Sequence, residues 1–376
     1  MKTIIVGAGI GGLAAAIGLR RAGIAVAVYE QAARLGEVGA GITLWPNAVK
    51  ALRQLGLGEA IRAIGVLEGQ GGIRTAGGRL LASGAARDLE REFGAPTLAM
   101  HRADLHATLL GALGGDYVRL GARCLGFEQG AQGVTVRFAD GSSDAADLLV
   151  GADGLRSAVR AQLHGPQPPR YAGYTAWRAV VPFEHAQLLP GESWGAGARF
   201  GQVPLGDGRV YWFATKNTPP GGRSAAGERA ELLRLFGGWH APIPALIAAT
   251  PEADILRHDL FDRPPLGRWG AGRVTLLGDA AHPMTPNLGQ GACQAIEDAV
   301  VLTKRLVAGG DPTAALRAYE ADRQPRTAQI MRQSRQIGAV GQWQGPLSVA
   351  ARNLLMRALG PRLQARQLAA VIGYEV

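Results

Sequence analysis

Glycines near the N-terminus stand at intervals that suit phosphate binding. Residues 7–12 read Gly-Ala-Gly-Ile-Gly-Gly, which fits G-x-G-x-x-G between an apolar run and a predicted helix. Gly7 permits a tight turn, Gly9 lets the backbone approach a pyrophosphate, and Gly12 lets helix and strand pack closely. The first amides of such a helix favour an anion. Glu30 ends the next apolar run, where its carboxylate is placed to accept hydrogen bonds from a ribose. The segment predicts a dinucleotide site and does not separate FAD from NAD.

Two later segments also combine glycine with aspartate after an apolar run. Residues 151–160 read GADGLRSAVR, and residues 278–291 read GDAAHPMTPNLGQG. Asp279 follows a predicted strand, and an ionised carboxylate there accepts hydrogen bonds from sugar-alcohol hydroxyls. The helix predicted after Gly291 points its positive end toward the preceding loop. This loop therefore suits a bound ring that gains negative charge on reduction.

The order and spacing of the three segments resemble the dinucleotide, D-G and G-D motifs of class A (single-component) FAD-dependent aromatic hydroxylases. Trp45-Pro46-Asn47 and residues 174–178 are most similar to the salicylate hydroxylase, FAD-dependent urate hydroxylase and zeaxanthin epoxidase branches. The resemblance covers nearly the whole chain. It implies an α/β fold with a Rossmann-like FAD-binding domain of the GR2, p-hydroxybenzoate hydroxylase type, an inserted, mostly antiparallel β-sheet domain for the substrate, and C-terminal helices.

We expect the chain to divide accordingly. The FAD-binding domain is predicted to be discontinuous and to comprise residues 1–72, 102–170 and 269–340. The substrate-binding sheet domain comprises residues 73–101 and 171–268, and residues 341–376 form terminal helices. Helical spacing places individual helices at about residues 46–55, 102–113 and 291–307.

The resemblance also implies which residues contact the cofactor. FAD is expected to be bound tightly and non-covalently by residues of the three motifs and of shorter local matches: Gly7, Gly9, Gly11, Gly12, Glu30, Gln31, Arg34, Thr43, Arg102, Cys124, Asp153, Asp279, Pro286, Asn287, Leu288, Gly289, Gln290 and Gly291. Pro286 and the backbone of residues 288–291 are expected to lie near the flavin ring. No catalytic acid or base is identified.

The implied reaction is a monooxygenation with NAD(P)H and O2 as co-substrates. NAD(P)H reduces FAD and leaves, which is consistent with the single dinucleotide motif. A flavin C4a-hydroperoxide then hydroxylates a small, electron-rich aromatic or heteroaromatic substrate. Relatives that act on urate tend to carry an acidic residue where this chain has Asn287, whereas the epoxidase branch carries Pro-Asn there. Epoxidation, with a more lipophilic alkene or a quinolone-like compound as substrate, is therefore the alternative.

Two segments alternate like half-buried antiparallel strands and indicate the substrate sheet, residues 174–181 and 209–215. On the second, Arg209, Tyr211, Phe213 and Thr215 share one face. Aromatic walls with a cation would suit an anionic substrate, and we expect them to be formed by Trp177, Arg178, Arg199 and Tyr211. The alternative is that these residues belong to an ordinary sheet core with exposed arginines.

Other polar residues in the motifs have two interpretations. His282 is either a catalytic base or, as we favour, a loop histidine whose hydrogen bonds orient the G-D segment. Asp153 is favoured as a turn-stabilising or ribose-adjacent residue over a catalytic one. Arg156 and Arg160 either contact the NAD(P)H phosphate or form a solvated helix face. Cys293 is expected to pack at a helix start rather than take part in redox chemistry.

Composition limits the remaining function classes. The formal net charge is +10, but the arginines are spread along the chain, so nucleic-acid binding is not predicted. Cys124 and Cys293 are the two cysteines, which predicts neither disulfides nor a metal site. We expect a cytoplasmic monomer or homodimer with a small-molecule partner and no stable membrane insertion. The basic, apolar tail after Leu347 either touches a membrane or, as we favour, packs on the flavin domain.

Three competing interpretations explain less of the chain. A flavin-dependent halogenase shares the implied fold, but residues 238–244 do not reproduce its Trp-x-Trp-x-Ile-Pro segment. A plain NAD-dependent dehydrogenase accounts for residues 1–30 and leaves the D-G and G-D segments without a role. A non-enzymatic binding protein on this fold would be expected to have degraded flavin motifs.

Overall fold

The computed structural model describes residues 1–36, 40–67, 71–83, 89–184, 188 and 190–376. Its strands are β1 (Lys2–Val6), β2 (Ala25–Tyr29), β3 (Gly41–Leu44), β4 (Val66–Leu67), β5 (Gly72–Thr75), β6 (Leu80–Ser83), β7 (Leu98–His101), β8 (Val118–Arg119), β9 (Cys124–Gln129), β10 (Val134–Phe138), β11 (Ser143–Ala146), β12 (Leu148–Gly151), β13 (Arg170–Pro182), β14 (Gly191–Trp194), β15 (Ala198–Gly206), β16 (Arg209–Asn217), β17 (Leu256–Asp262) and β18 (Val274–Leu276). Its helices are α1 (Ile10–Arg21), α2 (Pro46–Gln54), α3 (Gly58–Ile64), α4 (Leu89–Phe93), α5 (Arg102–Leu113), α6 (Ala158–His164), α7 (Glu228–Phe236), α8 (Ile243–Ala249), α9 (Gly291–Val307), α10 (Pro312–Gly341) and α11 (Pro346–Ile372).

A five-stranded parallel sheet carries the nucleotide motifs. Its strand order is β18-β12-β1-β2-β8, so that β1 lies in the middle. The apolar runs of β1 and β12 are buried because helices cover both faces of the sheet. The three motif segments follow β1, β12 and β18, which are neighbours. Since parallel strands end at the same edge, the motifs meet there.

A larger sheet forms the second layer of the site. Its order is β17-β13-β16-β15-β14-β5-β6, and its pairs are antiparallel except for β14 with β5. One face packs on α7 and α8 in a core that includes Phe200, Trp212 and Phe236. The other face looks toward the nucleotide motifs. The alternation expected for residues 209–215 is confirmed, since Val210, Trp212 and Ala214 lie in that core.

The C-terminal third adds three long helices. Helix α9 packs between α1, α2 and α10. Helix α10 runs for 30 residues although Pro325 lies inside it. Helix α11 follows after a short turn. Among the helices within the described ranges, none is both long enough and apolar enough to cross a membrane.

The predicted α/β fold with an inserted, mostly antiparallel sheet is confirmed. The helices expected at residues 102–113 and 291–307 have these bounds in the structure. Strands β5 and β6 join the large sheet. Strand β7, which the predicted division places with that sheet domain, instead pairs with β3 and β4. The domain division as a whole stays a prediction.

Candidate functional site

The turn between β1 and α1 requires glycine at both of its ends. Gly7 has a φ of +109°, and its amide donates to the carbonyl of Tyr29 at 2.7 Å. A Cβ at Gly7 would overlap the carbonyl oxygen of Ala152, and one at Gly12 would overlap the carbonyl oxygen of Gly7. The close helix–strand packing expected of Gly12 is therefore confirmed.

The two glycines between them have different surroundings. Gly9 stands just before α1, and no heavy atom lies within 4 Å of the position that its Cβ would take. A Cβ at Gly11 would instead lie 2.7 Å from Leu277 and 2.9 Å from Ala295. Gly9 thus leaves open space for a phosphate, whereas Gly11 lets α1 pack against the G-D segment and α9. This contact brings the first and third motifs together.

Glu30 and His106 hold the glycine turn in place. The carboxylate of Glu30 accepts from the amides of Ala8 and Ala32, both at 2.9 Å. His106 of α5 lies 2.7 Å through Nε2 from the carbonyl of Ala8. Each carboxylate oxygen of Glu30 can accept a further bond from a ribose. His106 was missed because nothing in its local sequence links it to the turn.

The D-G segment stabilises a turn rather than presenting a catalytic acid. One oxygen of Asp153 accepts from the amides of Ala158 at 2.7 Å and Val159 at 3.2 Å, at the start of α6. Burial raises the pKa of Asp153 despite these bonds. The neighbouring Cys124 thiol is buried too, and burial raises its pKa to about 11. These contacts favour the turn-stabilising interpretation of Asp153.

Both interpretations of Arg160 are wrong. Its side chain is buried, and Nη1 donates to the carbonyls of Ala280 at 3.0 Å and Ala281 at 3.1 Å. Arg160 therefore supports the G-D turn from inside the protein and is neither solvated nor open to a cofactor phosphate. Arg156, four residues earlier, is exposed. Sequence spacing alone did not show which side of this segment meets the G-D turn.

Asp279 lies in an open cleft beside the glycine turn. Its side chain is exposed, yet surrounding protein limits its hydration, and this raises its pKa against the opposing charges of His282 and Arg102. Loss of hydration likewise lowers the pKa of Arg102, and Asp279 opposes that shift. The mutual influence shows that Arg102, at the start of α5, faces the same cleft. Gln31 and Arg34 are exposed after the end of β2.

His282 belongs to a buried ionic network under the G-D turn. Its Nε2 lies 2.6 Å from Oδ2 of Asp298, which also accepts from the amide of Gly278 at 3.0 Å. Arg323 donates to the other oxygen of Asp298 at 2.7 Å and also contacts Glu297. All four side chains are at most 1% exposed. The orienting role favoured for His282 is consistent with these contacts.

Acid should weaken the fold through Asp298. Burial alone would raise the pKa of this carboxyl, but the charges of His282 and Arg323 outweigh burial and lower it to about 2. The unfolded value is about 3.9, so the ionised form stabilises the fold above that pH, and the contribution is lost as pH falls toward 2. Asp298→Asn should therefore be less stable than the wild type at neutral pH. Urea unfolding at successively lower pH should show that the difference in unfolding free energy between the wild type and Asp298→Asn becomes smaller below about pH 4. A difference that stays constant would contradict the stabilising role of the ionised Asp298.

The loop before α9 presents mainly backbone to the cleft. Pro286 and Gly289 are exposed, and Gly289 has a φ of +62°. A Cβ at Gly291 would meet no heavy atom within 4 Å. The Gln290 side chain is buried and accepts from Asn47 at 3.0 Å, so it braces the loop from behind. Leu288 is half-buried between them.

Cys293 lies in the first turn of α9 and does not favour redox chemistry. Its sulfur lies 3.6 Å from the carbonyl of Gly289 and 4.0 Å from that of Thr43. Burial raises the pKa of the thiol to about 12, so it stays protonated at neutral pH. These observations fit the expected packing role, and they place the Thr43 carbonyl beside the same turn.

Asn287 turns its side chain to the large sheet. Its amide nitrogen donates to Thr285 Oγ1 at 2.8 Å and to the Ser334 carbonyl at 2.9 Å, and its oxygen accepts from Tyr174 and Arg199. Arg199 is 2% exposed. Asn287 and Arg199 therefore join the loop to the sheet, and neither side chain is free in the cleft.

The strand alternation separates the four expected pocket residues. Trp177 lies in the core against α7 and α8 and donates to Glu228 at 2.6 Å, so its assignment to the pocket is wrong. Consecutive residues of a strand point to opposite faces, and Trp177 and Arg178 are consecutive. Arg178 lies opposite Phe213, and Tyr211 opposite Val180, on the cleft face of the sheet. Of the four, Arg178, Arg199 and Tyr211 lie on the cleft face, where Arg199 is bonded to Asn287.

Arg178 is a cation without a counter-charge among the described residues. Neither an ion pair nor a side-chain hydrogen bond joins it to any of them. Its charge opposes the rise in the pKa of Tyr211 that burial causes. Burial lowers the pKa of His258, and the charge of Arg178 adds to that shift. Tyr211 packs on β3, since a Cβ at Gly41 would overlap its ring. Arg178, Tyr211 and Arg102 thus border one cleft with Asp279.

Comparisons with known proteins agree with this geometry. A family described as FAD binding domain matches residues 1–334. The chain is 47% identical to aurachin C monooxygenase/isomerase of Stigmatella aurantiaca, over 97% of this chain and 96% of that protein. It is 40% identical to an FAD-dependent urate hydroxylase of Klebsiella pneumoniae, over 89% of both. The solved structure of Klebsiella pneumoniae HpxO with FAD and uric acid matches with a TM-score of 0.92 at 36% identity, covering 99% of this chain and 97% of that one.

Proposed function

Because the chain belongs to the FAD-binding family of aromatic hydroxylases, we propose that it hydroxylates a planar aromatic or heteroaromatic ring that carries an acidic group, with Arg178 as the anchor. The chain is an FAD-dependent monooxygenase that uses NAD(P)H and O2. The identity of the acidic group and the choice of residues that hold it are the proposal.

The cleft fits FAD. The space beside Gly9 and the first amides of α1 suit the pyrophosphate, Asp279 suits the ribityl hydroxyls, and the exposed backbone at Gly289 suits the flavin ring. Glu30 retains acceptor capacity for the adenosine ribose. When bound, FAD supplies the hydride acceptance and oxygen activation that protein side chains lack.

The unpaired cation at Arg178 carries the substrate proposal. A guanidinium in a cleft that has no partner within the described part of the chain is favourably paired by a carboxylate, phenolate or enolate of a ligand, in a fork geometry. Arg178 lies on the face of the large sheet that looks toward the loop before α9. A substrate ring held by Arg178 therefore lies between the sheet and that loop. A positive charge beside the acidic group also lowers the pKa of that group. The electron-rich, ionised form of the ring, which accepts oxygen most readily, is thereby stabilised.

Tyr211 supports the same role. Burial raises the pKa of its hydroxyl, with Arg178 opposing, so Tyr211 stays protonated at neutral pH. It can therefore donate a hydrogen bond from Oη to an oxygen of the substrate.

The amide of Asn287 takes up no proton, so the substrate has to ionise in solution or under the influence of Arg178. A urate-type reaction that depends on an acidic residue at this position is not favoured.

Substitution of Arg178 tests the proposal. Phenolic acids, purines and quinolones should first be screened for faster NAD(P)H oxidation with hydroxylated product. For an acidic substrate that is found, Arg178→Ala should lower kcat/KM by about 10- to 100-fold, since a hydrogen bond to a charged group contributes about 1.5–3 kcal/mol. Arg178→Lys should recover part of the loss. FAD content should not change.

Trp177→Phe is the matched control. It alters the neighbouring residue on the other face of the sheet and should leave kcat/KM within about twofold, because the side chain does not reach the cleft. An Arg178→Ala enzyme with wild-type kcat/KM for every acidic substrate would refute the anchor while leaving the monooxygenase assignment intact.

The similarity to aurachin C monooxygenase/isomerase supports a second candidate function. This is epoxidation of a more lipophilic alkene or quinolone-like substrate. A neutral substrate of this kind would be converted equally well by the wild type and by Arg178→Ala, and mass spectrometry of the product would distinguish an epoxide from a phenol. We also propose that the enzyme works in the cytoplasm as a monomer or homodimer.

A further inference from the structure

Helix α11 carries its apolar stripe on the outside of the protein. The residues that recur at intervals of three and four along its first half are all exposed: Leu347, Ala350, Ala351, Leu354, Leu355 and Ala358. The three leucines are 87%, 67% and 55% exposed, in chain order. Trp343, in the turn before the helix, is 38% exposed. A helix on the surface of a globular protein usually turns such a stripe inward.

The opposite side of α11 fixes this orientation. Arg352 is 1% exposed, and its guanidinium donates to the carbonyls of Gly341 and Gly195, both at 3.0 Å. It also lies 5.5 Å from the ring of Trp194. The helix therefore buries an arginine and exposes leucines. Because three contacts hold Arg352, the leucines cannot turn inward without breaking them.

The charge of α11 indicates what covers the stripe. Residues 346–372 contain four arginines and neither aspartate nor glutamate. Arg357 is exposed at the edge of the stripe, and the whole chain has a net charge of +10. A second copy placed against the stripe would bring like charges together. An anionic lipid surface offers phosphate groups to Arg357 and an apolar boundary to the leucines.

We propose that the α11 face, consisting of Trp343, Leu347, Leu354, Leu355 and Arg357, docks on an anionic membrane surface. The leucines enter the boundary between headgroups and acyl chains, and Arg357 stays among the phosphates. Docking holds α11 parallel to the membrane. The adjoining large sheet, which α11 contacts through Arg352 and strand β6, is then held close to the lipid.

Vesicle flotation of the FAD-loaded enzyme tests this proposal. The wild type should float with phosphatidylglycerol vesicles, bind phosphatidylcholine vesicles much more weakly, and be released by salt. Leu354→Gln together with Leu355→Gln should weaken vesicle binding by about tenfold or more. Each substitution removes the free energy gained when a leucine side chain moves from water into the lipid boundary. Both side chains are exposed, so FAD content and thermal unfolding should match the wild type.

A control on another surface completes the test. Leu125→Gln replaces a leucine of β9 that is 60% exposed and should bind vesicles like the wild type. Failure of the wild type to float with phosphatidylglycerol vesicles would overturn the proposal. So would a dimer in sedimentation velocity that the double variant converts to monomer, since the stripe would then be covered by a second copy.

Discussion

Replacing Arg323 with methionine is expected to lower the free energy of unfolding by about 3–5 kcal/mol, because it removes a buried counter-charge that two buried carboxylates share. Arg323 is fully buried and contacts both Glu297 and Asp298. Methionine fills a comparable volume, so the loss of stability results from removal of the charge and not from a cavity. His282 stays bound to Oδ2 of Asp298 and Arg326 to both oxygens of Glu297, whereas Oδ1 of Asp298 loses its guanidinium donor.

The measurement is urea unfolding at neutral pH, followed by circular dichroism, with Arg305→Met as the control. Arg305 pairs with Asp322 at 2.6 Å, but its side chain is 46% exposed, so the control should lose much less stability. FAD release should precede global unfolding in Arg323→Met, since Asp298 also accepts from the amide of Gly278 beside Asp279. Equal stability of the two variants would show that the network is not needed for the fold.

Replacing Gly12 with alanine is expected to lower both the thermal stability and the FAD content of the protein. The added Cβ overlaps the backbone carbonyl oxygen of Gly7. This carbonyl cannot move without breaking the turn, because the positive φ of Gly7 defines the turn. Overpacking of this kind typically costs about 1–3 kcal/mol, and a backbone obstacle places this site at the upper end. Soluble yield, absorbance of bound flavin and thermal unfolding would be measured together.

Gly9→Ala is the matched comparison within the same turn. Its Cβ meets no protein atom, and its φ of −72° is open to alanine, so the fold should keep its thermal stability. The methyl group would instead enter the space left for the pyrophosphate. We expect FAD affinity, measured by flavin fluorescence titration, to fall about tenfold or more, which corresponds to roughly 1.4 kcal/mol of binding free energy. Equal damage from both alanines would contradict the division of roles between Gly9 and Gly12.

Much of the cofactor site could be predicted because its determinants are local. The glycine turn, the capping aspartate of the D-G segment and the loop before α9 each depend on a few consecutive residues. Their meeting follows from parallel strands that end at one edge. The helix bounds at residues 102–113 and 291–307 were also set by local spacing and by flanking glycine.

What sequence did not reveal depends on contacts between distant residues. Arg160 reaches Ala280, and His106 reaches Ala8, across more than 90 positions of chain. Trp177 and Arg178 lie on opposite faces of β13, so aromatic character alone misplaces Trp177 in the pocket. Helix α10 runs through Pro325, a residue that signals a break, and it packs on α9.

The large sheet separates two tasks within single strands. Odd and even positions of β13 and β16 serve opposite faces, so that the side chains packed on α7 and α8 are interleaved with those that border the cleft. A mutant library limited to every second codon of these strands can therefore redesign selectivity while the scaffold keeps its packing. Substitutions at these alternate positions can change which product is formed, in evolution as in engineering, without a large loss of stability.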